Sequence, residues 1–250
     1  MPRRQPAKDL KILWGLSQGR CAFPGCRRCL IEEATDADPV AVIGEIAHIE
    51  AHSDRGPRAN PRLTEGDRDR YENWILLCGA HHDIVDSQPN SYTPADLRRW
   101  KAEHEGWVRD CTHEAMPDVS FVELAVVTTA VLASERPAST DFAVTPPQQK
   151  MHRNQLTEGV TFELTLGLAK AREVQQFVHH VASMDQTFPQ RLVAGFVAEY
   201  GRLRDDGLDG DSLFEAMRDF AAQRSRDFKI QAAGLAVLAY LFEKCEVFAK

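Results

Sequence analysis

The sequence predicts an α+β protein, with a small metal-binding domain of short strands and helices followed by an all-α bundle. Three observations carry this. Four of the six cysteines, at positions 21, 26, 29 and 78, fall in the first third of the chain, together with the histidines at 48, 52, 81 and 82. Two short apolar runs, Val40–Ile49 and Trp74–Cys78, flank a polar stretch rich in Arg, Gly and Pro, as strands around a loop would. Beyond residue 150, apolar side chains recur at spacings of three and four, the repeat of a helix face. The expected division is 1–115 for the first domain, 116–149 for a connecting segment and 150–250 for the bundle.

Along the chain, Asp9 to Gln18 reads as a short helix that Gly19 stops. Cys21-Ala-Phe-Pro-Gly-Cys26 is a tight turn, because Pro-Gly sits between the two sulfurs. Val40 to Ile49 reads as one strand and Asp54 to Asp69 as a loop without periodicity. A second strand follows at Trp74 to Cys78, then a short helix from His81 and another from Pro94 to Trp107, with proline in its first turn. Val119 to Ala133 is apolar and rich in Val and Thr, and periodicity does not decide between strand and helix there. Ser134 to Gln149 holds Pro137, Pro146 and Pro147 and reads as a linker. The repeats through Leu164–Val181, Leu192–Leu203 and Ile230–Phe248, broken near Met184–Pro189 and Asp205–Asp211, give a bundle of about four helices.

Composition bounds the function. With 30 basic and 37 acidic residues the formal charge is −7, which excludes a uniformly basic nucleic-acid coat protein and leaves room for a local site. The longest apolar run, Ala232 to Phe242, is too short to span a bilayer. The start shows no apolar stretch of an export signal, so a cytoplasmic protein without a membrane partner is expected, and its clustered cysteines suit metal better than disulfides.

Cys21-x4-Cys26 and Cys78-x2-His81 are two ligand pairs from distant segments, a pattern that supplies the four donors of a tetrahedral Zn²⁺ site. Cys29 is a competing sulfur. Gly44-Glu-Ile-Ala-His48-Ile, Asn73 before Trp74, and His82 directly after His81 add a His…Asn…His series. Together with Gly56-Pro57-Arg58, Tyr71-Glu-Asn-Trp-Ile-Leu-Leu-Cys-Gly-Ala-His-His and Leu97-x2-Trp-Lys-x2-His-Glu105, the region over roughly residues 10–105 resembles the HNH endonucleases of the ββα-metal group.

The resemblance implies a structural Zn²⁺ on Cys21, Cys26, Cys78 and His81. It makes His48 the general base, Asn73 the residue that holds the His48 loop by hydrogen bonds to backbone, and His82 a ligand of a catalytic Mg²⁺ or Mn²⁺. Many relatives carry Asp immediately before the first His; here that position is Ala47, so either Glu45 or Asp86 supplies a second ligand or the ion is held by His82, water and phosphate alone. Arg55, Arg58, Arg62, Arg68 and Arg70 in the loop after His48 are candidates to clamp the phosphates of DNA. His48-x3-His52 as a helical zinc dyad is the weaker reading, because Ile49 stands where the metalloprotease pattern needs Glu. His104 is expected to pack or cap rather than catalyse.

Lys150-Met-x2-Asn-Gln-Leu156 and Ala239–Lys250 are similar to the C-terminal domain of effectors in prokaryotic ABC-three-component conflict systems. That resemblance implies an antiviral defence role, with an ABC-type ATPase and a small middle component as partners; a homo-oligomer is the other expectation. The resulting reading is an HNH endonuclease that hydrolyses DNA phosphodiester bonds under control of its helical domain. The alternatives are an inactive zinc module that binds DNA or protein, and a restriction-type nuclease that the bundle only dimerises.

Overall fold

The computed structural model describes residues 6–132, 150–152 and 154–244. The expected linker at Ser134–Gln149 and the apolar positions Cys245, Val247 and Phe248 lie outside them. The chain divides into two compact units, 1–109 and 110–250. The fold class is the expected one, small two-stranded sheets around a Cys/His cluster and then a mostly helical unit.

The first unit begins with α1 (Ala7–Ser17), which ends as Gln18 and Gly19 turn into the left-handed region, at φ 52° and 53°. The Cys21–Cys26 turn follows, with Gly25 at φ 74°. Val40 to Ile49 is not one strand. Ala41–Val42 (β2) pairs antiparallel with Ile31–Glu32 (β1), while Gly44–His48 (β3) pairs antiparallel with Trp74–Cys78 (β4). The chain changes sheets at Ile43, whose N–H donates to the Leu30 carbonyl at 2.8 Å. Gly44 allows this: a Cβ there would lie 2.9 Å from the Leu30 side chain and 3.0 Å from Trp14.

The β3–β4 register pairs Gly44 with Cys78 and His48 with Trp74. All five residues of β4 are buried, so the sheet is the floor of the first core, with Leu13, Leu30, Ile49, Val85 and Leu97 packed against it. The long polar loop contains one turn of helix, α2 (Glu65–Arg68), capped by Thr64. A 3₁₀ turn at Tyr71–Asn73 leads into β4, then come α3 (Gly79–Ser87) and α4 (Pro94–Ala115), the last longer than its apolar pattern announced.

The second unit holds the segment left undecided by periodicity. It is a helix, α5 (Phe121–Val131), started by a capping box in which Ser120 and Glu123 each bond the other's backbone N–H. Its Leu124, Val127 and Val131 enter the bundle core. From Glu158 onward the described residues hold five helices, where the repeats suggest about four: α6 (Glu158–Leu168), α7 (Ala171–Ala182), α8 (Phe188–Asp205), α9 (Gly210–Ala221) and α10 (Phe228–Lys244). The repeat through Leu164–Val181 is two helices parted at Ala169 and Lys170, because α7 restarts the same periodicity after a two-residue break. The apolar run of α10 is buried all round from Gln231 to Phe242, which makes it the central helix of the bundle. Close approach is what its small residues permit. A Cβ on Gly234 would lie 2.6 Å from the Ala222 nitrogen, and one on Gly167 of α6 2.7 Å from the Ala239 Cβ.

Candidate metal centre and the histidines beside it

The two ligand pairs meet because the strand-to-helix turn at Cys78 is sewn to the Cys21 turn. Ala22 N–H donates to the Leu76 carbonyl at 2.9 Å, and Cys78 N–H to the Cys21 sulfur at 3.3 Å. Cys78 caps the N-terminus of α3, so His81 falls in the first turn of that helix. Phe23 stacks on the His81 ring, centroids 3.9 Å apart and planes 2° from parallel, which fixes the imidazole's direction. The donor atoms of Cys21, Cys26, Cys78 and His81 all lie within 4.8 Å of one another.

This is a buried Cys3His cluster that fits Zn²⁺. Bonds of about 2.3 Å to sulfur and about 2.1 Å to nitrogen put tetrahedral neighbours about 3.6 Å apart. The His81 Nδ1 stands 3.4 Å from the Cys21 sulfur and 3.2 Å from that of Cys78. Burial pushes the Cys21 thiol up to about 12 and the His81 imidazole below its ordinary value. A dication supplies the charge that lets buried thiolates persist. Cys29 is not in the cluster; its thiol donates to the Ile31 carbonyl at 3.2 Å.

His48 closes β3 with its ring edge-on to Trp74, centroids 6.2 Å apart. Its Nε2–H donates to Asp69 at 3.3 Å, and burial lowers its pKa while that hydrogen bond opposes the shift. Asn73 is buried in the turn before β4. Its side-chain amide donates to the Glu50 carbonyl at 2.8 Å and its oxygen accepts from the Glu50 N–H at 2.9 Å. The chain just past His48 is thereby clamped in both directions. His82 turns away from the Cys3His cluster toward β3, with Nδ1 3.5 Å from Glu45 and Nε2 4.0 Å from Asp86. Ala47 is fully buried in the core.

Of the loop arginines, Arg58 is a bracket, not a phosphate clamp. Its buried guanidinium donates to the carbonyls of His48 and Ile49, each at 3.0 Å, to that of Val85, and to Asp86 at 2.5 Å. Arg68 is held by Asp54 and the His52 carbonyl. Arg55, Arg62 and Arg70 are exposed. His104 is fully buried; it accepts from Arg27 at Nδ1 and donates from Nε2 to the Ser17 carbonyl at 3.0 Å.

Sequence reasoning missed the joining of His52 and Asp69 to His48. Asp69 lies in a stretch with no periodic signal, and spacing presents His52 only as half of a helical dyad. No protein-family model matches the chain, and no curated protein matches it. Among the described residues no helix is long and apolar enough to cross a membrane.

Proposed function

We propose that the chain is a cytoplasmic, metal-dependent HNH endonuclease that hydrolyses DNA phosphodiester bonds, with its helical unit controlling the nuclease in an antiviral defence system. The observation that carries the reading is the Asn73 clamp, which fixes the strand end bearing His48 beside a helix bearing His82, over a Cys3His cluster. A neutral His48 with its proton on Nε2, toward Asp69, leaves Nδ1 to take the proton of an attacking water. His82 would hold Mg²⁺ or Mn²⁺ with Glu45, because Asp86 is already engaged by Arg58. A divalent ion there stabilises negative charge on the scissile phosphate. Exposed Arg55, Arg62 and Arg70 would contact the DNA backbone without reading bases.

Control through the second unit, by self-association or by docking to an ABC-type ATPase and a small middle component, rests on the resemblance of residues 150–250. Ala47, in place of a metal-binding Asp, favours one other reading: an inactive zinc module that binds DNA or protein. Plasmid nicking with Mg²⁺ or Mn²⁺ separates the two. The wild type should cut, while His48→Ala and His82→Ala should fall by at least about 100-fold and stay folded. A wild type that does not cut with either metal would leave the inactive module standing, and wild-type rates in both variants would refute the roles given to His48 and His82.

A further inference from the structure

We propose that His48, His52 and Asp69 form a second divalent-metal site, for a first-row transition ion of the Zn²⁺ class, whose occupancy silences His48. Three donors converge: Asp69 Oδ1 lies 3.3 Å from His48 Nε2 and 3.1 Å from His52 Nδ1, and each of the three side chains offers a donor atom within 4.8 Å of the others. Bonds of about 2.1 Å place neighbouring ligands about 3.0 Å apart in an octahedron and about 3.4 Å apart in a tetrahedron, so both contacts have the length of a coordination edge. Two imidazoles and one carboxylate suit a borderline transition ion rather than Mg²⁺ or Ca²⁺.

The donors are pre-positioned. The Asn73 clamp and the Arg58 bracket fix the backbone on either side of Ile49, and Arg68 donates to the His52 carbonyl at 3.1 Å. The site is also reachable, because the His52 side chain is 50% exposed while those of His48 and Asp69 are 21% and 13% exposed.

The consequence for His48 follows from its single ring proton. An ion on Nε2 takes that lone pair and displaces the Nε2–H···Asp69 bond, so the remaining proton of the neutral ring sits on Nδ1. Neither nitrogen can then accept a proton from water. This part rests on the nuclease reading; the metal site itself does not.

The test uses untagged full-length protein with the Cys3His cluster filled by Zn²⁺, titrated with Co²⁺ in equilibrium dialysis. Beyond any Co²⁺ taken by His82 and Glu45, which His82→Ala removes, one further Co²⁺ per chain is expected, with weak visible d–d bands and no sulfur-to-cobalt charge-transfer band. His52→Ala and Asp69→Asn should each abolish this equivalent with tryptophan fluorescence unchanged. No such further equivalent in the wild type, or one that survives both substitutions, would overturn the site. In a plasmid assay with Mg²⁺, added Zn²⁺ should suppress cutting by the wild type at least 10-fold more than by His52→Ala. Equal suppression would overturn the silencing. A wild type that never cuts defeats the nuclease reading, while the cobalt count still decides the site.

Discussion

Acid should loosen the first unit through His104. This imidazole is fully buried, accepts from Arg27 and donates to the Ser17 carbonyl, a pattern only the neutral ring can satisfy. Burial, with the Arg27 and Arg20 charges adding to it, pushes its pKa down to about 4 from the ordinary 6.5. Because the folded value is the lower one, the unfolded chain binds the extra proton. The stability is therefore complete above about pH 6.5 and lost progressively as pH falls toward 4. At about 1.4 kcal/mol for each pH unit in that window, the full loss is about 3 kcal/mol, of which about 1.3 kcal/mol falls between pH 7.5 and 5.5. All four tryptophans, at 14, 74, 100 and 107, lie in the first unit, so their fluorescence reports its unfolding alone. Guanidinium melts of wild type and His104→Gln at the two pH values give the assay, because glutamine can make both hydrogen bonds and cannot titrate. The wild type should lose about 1 kcal/mol relative to the variant between pH 7.5 and 5.5. Parallel losses in both proteins would refute the argument and move the acid sensitivity elsewhere, to the Cys3His cluster first.

Three further outcomes are expected. Purified protein should carry about one tightly bound Zn²⁺ per chain by elemental analysis, and Cys78→Ser should lose it and unfold the first unit by tryptophan fluorescence. Asn73→Ala should cost about 2 kcal/mol in denaturant melts, because it strands the buried Glu50 N–H and C=O; a change under about 0.5 kcal/mol would deny the clamp its role. Gly234→Val should lower the bundle's melting transition by several degrees in circular dichroism, because its Cβ would meet the Ala222 backbone at 2.6 Å and no flexible side chain can yield there.

The sequence reading succeeded where one local signal decides the outcome. The Cys-x4-Cys and Cys-x2-His pairs, the buried run of β4 and the long helical repeats each carry their geometry in their spacing. It failed where neighbours decide. Val40–Ile49 looks like one strand, yet Leu30 and Trp14 pack against Gly44 and the chain changes sheets there. Phe121–Val131 is β-branched enough to mimic a strand, and its Ser120/Glu123 capping box was the overlooked signal for a helix. α7 was hidden because a two-residue break preserves the apolar rhythm. Asp69 could not be assigned to His48 from spacing, because a 20-residue loop with one short helical turn brings it there.

Arg58 makes the loop after His48 unequal in what it will tolerate. One planar group reaches four acceptors on two separate elements, and it does so from a backbone at φ 60°. A lysine has one nitrogen and no fork, so a substitution that keeps the charge still loses the geometry. In a library of random variants, position 58 should therefore return almost nothing but arginine. Positions 55 and 62 should drift freely among basic and polar residues. Amino-acid tolerance along this one loop then distinguishes an arginine that serves architecture from those that face solvent, without any assay of cutting.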